Sequence, residues 1–338
     1  MQNSSSWFSM SATKLRDSSN EANRWCVAPA ESDDIPLIQS LFERVFKQPM
    51  SDSFWHWKYG QNNGMSWVAK RGAKLIAHYG GIKREVLYKG LRRQSIQCVD
   101  TMVDRSERGS LSRKGPYFLV ASGFLNQYVG TDRPFEFGYG FPNARVMRLG
   151  ELLGIQASVG QILEPVWSPT EGSVCRDVTY DRDDARHRLI ANQLNVRLQA
   201  SLCSAIVGVR DADYLSYRYF DNPNFDYQIK IVWRYGSSEP LGIVVFRIES
   251  DRLLVLDLIA SADHFSELVA QLRVYCGRAH AFEMSAWISS IHLPLLGQRW
   301  GRLDDPQVRI PTSICTPGPT PTELKDKWYL TAGDTDFK

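Results

Sequence analysis

The 338-residue chain has no CxxC pair, and its six cysteines (26, 98, 175, 203, 276 and 315) are scattered. That spacing excludes a disulfide framework or a zinc ribbon and reads as the reduced thiols of a cytoplasmic protein. The six histidines are equally dispersed, so no metal site is expected. No run of about 18 apolar residues occurs, which removes a membrane-spanning helix, and the N-terminus lacks a signal-peptide core. Charge of one sign is also lacking: 40 basic residues against 37 acidic ones leave +3. A nucleic-acid binder would show a concentrated basic face instead.

Apolar material is plentiful, at 43% of the chain, and the length exceeds one typical domain. The Ser- and Asn-rich residues 1–24 read as a flexible tail. A first domain is expected over 25–167, a linker over 168–190 where Pro169, Gly172 and the run DRDDARHR break the pattern, and a second domain over 191–338. Residues 311–321, PTSICTPGPTP, are expected to form a connector, neither helix nor central strand, before a closing strand over 327–331.

The densest pattern runs from Gln97 to Val129. The segment SIQCVDTMV, residues 95–103, alternates Ile96, Cys98, Asp100 and Met102 against Gln97, Val99, Thr101 and Val103, as a buried strand does. A polar loop, DRSERGSLSRKG, follows over 104–115. Pro116 then suits a first helical turn, and Tyr117, Val120, Ala121, Phe124, Leu125 and Tyr128 form one apolar stripe, with Gly130 placed to end the helix. A helix start exposes unpaired N–H groups and partial positive charge, which favours an anion. Arg108, Arg113 and Lys114 would add full charges there; a merely solvated basic loop is the alternative.

These motifs resemble the GNAT superfamily of N-acetyltransferases. Val103 to Gly109 matches that family's V-x-x-x-x-R-G strand end, and Phe137-Gly138-Tyr139-Gly140-Phe141-Pro142-Asn143 resembles its later strand leading into a helix. Asp33 and Asp34, ahead of Ile35, Ile38, Leu41, Phe42 and Val45, look like its amphipathic first helix. The resemblance implies an α/β (α+β) fold, each domain a mixed, mainly antiparallel twisted sheet flanked by helices. It implies acetyl-CoA as co-substrate, with pyrophosphate on the amides of the loop holding Arg108, Gly109, Ser110, Arg113, Lys114 and Gly115. It also implies a pantetheine channel beside Asn143. Six residues separate Arg108-Gly109 from Pro116, so either that pair or Arg113 to Gly115 could form the phosphate turn; the latter abuts the helix. The family's catalytic tyrosine on the last helix aligns with Gly150, so that acid cannot be carried over.

The two halves repeat. Phe54-Trp55-His56-Trp57-Lys58-Tyr59 is echoed by Tyr214-Leu215-Ser216-Tyr217-Arg218-Tyr219, and Val99-Asp100-Thr101-Met102-Val103 by Leu256-Asp257-Leu258-Ile259-Ala260. Chance similarity of aromatic strands is the alternative. The second copy has no Gly-Arg loop, so it is expected to be degenerate.

Acyl transfer to an amine needs a proton acceptor and a polarised carbonyl. Backbone N–H groups near Met102 and Val103 are candidates for the carbonyl. Asp100 is the first candidate base, Glu136 the second, and Tyr139 a possible acid. The aromatic cluster 54–59 and Asp334 or Asp336 near the C-terminus could shape an acceptor pocket. The expected function is an N-acetyltransferase acting on a small-molecule amine or amino sugar. The alternatives are a carrier- or tRNA-dependent aminoacyl or acyl transferase of related tandem fold, and a non-catalytic CoA-binding scaffold.

Overall fold

The computed structural model describes residues 25–108, 112–172, 175–297 and 299–338. The N-terminal tail, Gly109 and Ser110 lie outside the described residues. The first half runs β1 (Cys26–Pro29), α1 (Ile35–Phe46), α2 (Asp52–Tyr59), β2 (Gly64–Arg71), β3 (Lys74–Tyr88) and β4 (Leu91–Val103). It continues through α3 (Pro116–Tyr128), β5 (Phe137–Gly140), α4 (Ala144–Leu153) and β6 (Gln156–Trp167). The second half opens with β7 (Cys175–Thr179), α5 (Ala185–Ser201), β8 (Ile206–Gly208) and α6 (Ala212–Leu215), followed by one π-helical turn, Ser216–Phe220. Next come β9 (Gln228–Arg234), β10 (Gly242–Glu249), β11 (Arg252–Ile259), α7 (Phe265–Arg278), β12 (Glu283–Ala286) and β13 (Ile288–Ser289). The chain closes with β14 (Arg302–Asp304), β15 (Arg309–Ser313), α8 (Pro321–Leu324) and β16 (Trp328–Tyr329).

Two mainly antiparallel sheets result. The first is seven-stranded, ordered β1-β2-β3-β4-β5, with β8 added to β3 and β16 to β8. The second is nine-stranded, ordered β13-β6-β12-β11-β10-β9-β7, with β14 and β15 also on β6. Both have a parallel pair at the equivalent place, β4 with β5 and β11 with β12, and the added β16 also runs parallel to β8.

The halves exchange strands, which the expected boundaries did not anticipate. Within 25–167, β6 joins the second sheet, while β8 and β16, from beyond residue 190, complete the first. The stretch 168–190 holds β7 and the first turns of α5, whose Asp184 caps the amides of Arg186 and His187. Local polarity there marks a helix start, not a linker. Pro311 lies inside β15, where a register shift between Ile310 and Pro311 accommodates its missing donor.

Both aromatic segments of the repeat are helical, not extended. Ser51 accepts from the Phe54 amide to start α2, and Asp211 accepts from the Tyr214 amide to start α6. Tryptophan and tyrosine are tolerated in such short helices because packing outweighs their weak helix propensity. The repeat itself is present as α2-β2-β3-β4-α3-β5 and α6-β9-β10-β11-α7-β12. Its equivalent residues touch: Trp57 and Tyr217 stack with ring centroids 5.4 Å apart. The Trp57 indole donates to the Tyr217 carbonyl at 2.8 Å, and the Tyr217 hydroxyl donates to the Trp57 carbonyl at 3.2 Å.

Strand alternation in the first sheet sends Ala69, Ile76 and Ile96 to a core under α3, and Val68, Leu75 and Met102 to a core under α1 and α2. The Pro116 and Gly130 expectations hold: α3 begins with Pro116 at its first position, and Gly130 follows it with φ +127°. The sheet is thus covered on both faces, and its open edge lies where β4 outruns β5.

Candidate active site

Parallel pairing between β4 and β5 ends at Cys98 and Gly140, while β4 continues to Val103. Beyond that point the β5-facing edge of β4 has no strand partner among the described residues. A cavity of about 510 Å³ opens at this splay, lined on one side by Cys98, Thr101, Tyr117, Gly140, Asn143 and Val146. On the other side it meets Phe42, Phe46, Phe54, Asn224, Phe225 and Phe337.

Asp100 sits at the junction because β4 bulges there. His78 pairs with Met102 and Gly80 with Val99, so Tyr79 faces both Asp100 and Thr101. Asp100 takes φ +48°, a left-handed conformation that Asp tolerates better than most residues. Its carbonyl is held 2.8 Å from His78 Nδ1, while Nε2 of the same ring lies 2.9 Å from the Ser66 hydroxyl. Since the carbonyl can only accept, Nδ1 carries the proton and Ser66 donates to Nε2. Burial lowers the His78 pKa from its ordinary 6.5, the nearby Asp100 charge opposing, which favours this neutral ring.

The Asp100 carboxylate accepts from Lys58 Nζ at 2.7 Å and from the Tyr59 hydroxyl at 2.6 Å. Lys58 also lies 2.5 Å from Asp336 Oδ2, so one ammonium bridges two carboxylates. Its side chain is only 1% exposed. Burial opposes the Lys58 charge, but Asp100 and Asp336 outweigh it and raise the pKa above 10.5. Burial, and then the Asp100 charge, likewise push the Tyr59 phenol well above its usual range, so it donates a proton and keeps it. Asp336 Oδ1 receives only a long contact from Gln97 Nε2, 3.4 Å, and so retains acceptor capacity. Cys98 lines the cavity too, but burial pushes its thiol up to about 11, leaving no thiolate near neutrality.

The structure brings together some of the sequence-derived site residues and separates others. Asp100 and Asn143 line the cavity, and Asn143 caps α4 by accepting from the Val146 amide at 3.0 Å. Met102 and Val103 lie on the stretch of β4 beyond its last pairing with β5, where both still pair with β3 and neither is among the cavity-lining residues. Glu136 is elsewhere: it precedes β5, its amide bonds to the Gln94 carbonyl, and its carboxylate pairs with Arg93 at 3.2 Å. Six residues of strand, roughly 20 Å, separate Gln94 from Asp100. Tyr139 is a core residue 2% exposed, with its ring 4.6 Å from that of Trp328. It points to the side of the sheet that faces the second half and does not line the cavity.

The loop before α3 is more internally bonded than its sequence suggested. The Gly115 amide donates to the Ser112 carbonyl and the Lys114 amide to the Ser112 hydroxyl. Arg108 Nε reaches the Val103 carbonyl at 2.9 Å, and Arg113 Nε the Leu153 carbonyl at 3.3 Å, at the end of α4. With Pro116 lacking an N–H, the α3 donors without an intrahelical acceptor are those of Tyr117 and Phe118. Gly150 also has a structural reason: a Cβ there would lie 2.6 Å from the amide of Gln156, a cavity residue.

Lys58 and His78 contact Asp100 yet escaped assignment from sequence, while Tyr59 was read only as part of an aromatic cluster shaping an acceptor pocket. The available signal was the aromatic-cation-aromatic triplet Trp57-Lys58-Tyr59, matched by Tyr217-Arg218-Tyr219 in the second copy. Among the described residues, no group of three or more His, Cys, Asp or Glu could hold a metal ion, and no helix is long and apolar enough to cross a membrane.

No family model matches the sequence, and no curated protein matches it. Solved structures do match in shape. A GCN5-related N-acetyltransferase from Anabaena variabilis aligns at TM-score 0.62 and 14% identity, covering 86% of this chain and 73% of that one. The chain has the tandem GNAT fold. A GCN5-related N-acetyltransferase from Kribbella flavida gives TM-score 0.62 and 14% identity, covering 86% and 72%. Saccharomyces cerevisiae N-myristoyltransferase with bound myristoyl-CoA gives TM-score 0.52 at 8% identity, covering 90% and 88%. In this GNAT fold the β4–β5 splay belongs to the first copy, and the equivalent aspartate of the second, Asp257, is sealed in the core at 1% exposure.

Proposed function

We propose that this protein is a CoA-dependent N-acyltransferase, moving an acetyl group to an amine at the β4–β5 splay. The observation that carries the reading is the Asp100–Lys58–Asp336 bridge set in the cavity wall beside the unpartnered edge of β4. The acyl thioester would enter between β4 and β5, its oxygen taking up charge against backbone N–H groups of the Thr101 to Val103 stretch. The α3 start, with Arg113 and Lys114 beside it, suits the pyrophosphate.

An acceptor ammonium is attracted by two carboxylates that share one lysine. Asp336 takes its proton, because Oδ1 has spare lone pairs, whereas both Asp100 oxygens are engaged by Lys58 and Tyr59. The freed amine attacks the thioester carbon, the C–N bond forms and the C–S bond breaks. The departing CoA thiolate takes up through water the second proton that the acylated nitrogen gives up, and Asp336 returns the first proton to solvent. Asp100 keeps Lys58 charged and in place.

Calorimetric titration with acetyl-CoA, followed by thiol release with an amine panel, tests this. Asp336→Asn is expected to lower turnover by about 10²- to 10⁴-fold, as loss of a general base does, with acetyl-CoA affinity kept. Absence of acetyl-CoA binding in the wild type would sink the reading.

A further inference from the structure

The lining of the cavity also constrains what the acceptor is. Its charged side chains are Lys58, Asp100 and Asp336: one ammonium against two carboxylates, a formal charge of −1. Two aromatic rings stand against the ammonium, and a third, Phe337, lines the cavity while 47% exposed. Lys58 Nζ lies 4.8 Å from the Phe54 centroid and 6.0 Å from that of Phe42, and Phe337 follows Asp336 in the chain. Phe225 extends the apolar wall on the side of the second half. Behind that ring Arg247 lies 3.9 Å from the Phe225 centroid, outside the cavity lining, with one guanidinium nitrogen paired with Glu249 and Nε and Nη1 buried without a hydrogen-bond partner.

We propose that the acceptor is an apolar monoamine, an aryl- or alkylamine without a carboxylate, held by its ammonium at Asp336 and by its hydrocarbon against Phe54 and Phe337. This rests on the N-acyltransferase reading of the same site and narrows it. One uncompensated negative charge matches one ammonium. A substrate carboxylate would meet no free cation among the lining residues, and burying it unpaired costs several kcal/mol. A polyamine would bring further ammonium groups that the single net negative charge of the lining does not balance. An aromatic or aliphatic body instead gains by burial, and its ammonium gains from the ring faces as Lys58 does.

The test is calorimetry on the full chain with 2-phenylethylamine, phenylalanine, spermidine and glucosamine, each with and without CoA. The expected result is 2-phenylethylamine binding at least about tenfold more tightly than the other three, a difference of about 1.4 kcal/mol. Asp336→Asn is expected to erase most of that preference, and Phe337→Ala, read in the same titration, to weaken 2-phenylethylamine about tenfold, the scale of the apolar area that a bound ligand would cover on this half-exposed ring. Equal or tighter binding of phenylalanine, spermidine or glucosamine, or no binding of 2-phenylethylamine, overturns the proposal. A separate CoA titration keeps the two readings apart: its failure removes the acyl-transfer reading, while the amine titration judges the pocket by itself.

Discussion

Lys58→Met is the sharpest perturbation of this protein. The substitution keeps the volume of the side chain but removes the ammonium that bridges Asp100 and Asp336, whose side chains are 5% and 10% exposed. Two carboxylates at the cavity wall would then be left without the ammonium between them. Breaking a buried ion pair from one side costs about 3–5 kcal/mol, because the remaining charge is left uncompensated. At about 2–4 °C per kcal/mol, the scale for about 150–250 residues, that corresponds to a fall of roughly 6–20 °C in Tm, and a chain of 338 residues is expected at the lower end. Adding Asp336→Asn to Lys58→Met removes one of the two stranded charges, and the double variant is expected to recover about half of the loss.

The pH dependence has a definite sign. The folded pKa of Lys58 is raised above 10.5, its unfolded value, by the two carboxylates against the opposing effect of burial. Its contribution to stability is therefore complete below pH 10.5 and fades only as pH rises through the folded value. Urea denaturation of wild type and variant at intervals from pH 6 to 9 should give a constant gap. A loss below about 1 kcal/mol, the range of a solvent-exposed pair, would refute the buried bridge. So would a gap that already narrows between pH 6 and 9, or a double variant no better than the single one.

Gly80 is packed so tightly that a Cβ would overlap the Tyr59 hydroxyl and lie 2.9 Å from His78 Cε1. Gly80→Ala is expected to destabilise by about 1–3 kcal/mol, with Gly80→Ala/Tyr59→Phe restoring part of it; thermal melts that show no recovery would exclude the clash. Burial lowers the His292 pKa to about 4, and the unfolded chain binds that proton from 6.5 downward. Stability should accordingly fall as pH drops from 6.5 to 4, and His292→Leu should flatten part of that slope in acid titrations, by at most about 3 kcal/mol. A slope unchanged in His292→Leu would assign the acid sensitivity elsewhere, His78 being the next buried imidazole.

Periodic features were legible in the sequence, and partners distant along the chain were not. Pro116, the stripe from Tyr117 to Tyr128 and Gly130 are local signals, and α3 follows them almost to the residue. Asn143 was readable as a helix start for the same reason. Asp100 could be placed on a strand, but its left-handed φ comes from a bulge against β3, which alternation along β4 cannot show. Glu136 and Tyr139 were plausible by type alone; strand register sends one to the far end of β4 and the other to the opposite face. The phosphate turn was argued from glycine and charge, yet amide availability depends on Ser112, whose carbonyl and hydroxyl take up the Gly115 and Lys114 amides. The linker reading of 168–190 failed because a capping Asp184 and a run of charge look alike until α5 has a core to pack on. Lys58 was passed over within an aromatic run, and its two partners lie 42 and 278 residues away in the chain.

The second copy explains why the C-terminal segment belongs to the first site. At its equivalent position, Asp257 is held by Arg210 Nε at 2.8 Å, by the Tyr214 hydroxyl at 2.9 Å, by Thr331 Oγ1 at 2.7 Å and by the Tyr219 hydroxyl. Arg210 also takes Asp334 Oδ2 at 2.5 Å, so the group that corresponds to a catalytic candidate has become an anchor for residues 331–334. Gly333 is required there, since a Cβ would overlap Asp257 and the Tyr219 hydroxyl. Two residues past Asp334, the chain delivers Asp336 to Lys58 and Phe337 to the cavity wall. A side chain at Gly333 would therefore disturb a site whose aspartate it never touches. Gly333→Ala should lower amine affinity and turnover together, through a displaced Asp336, while β4 and β5 persist and, on the proposed reading, acetyl-CoA affinity is kept. Loss of acetyl-CoA affinity to the same degree would show instead that the tail holds the whole fold and not one half of the pocket.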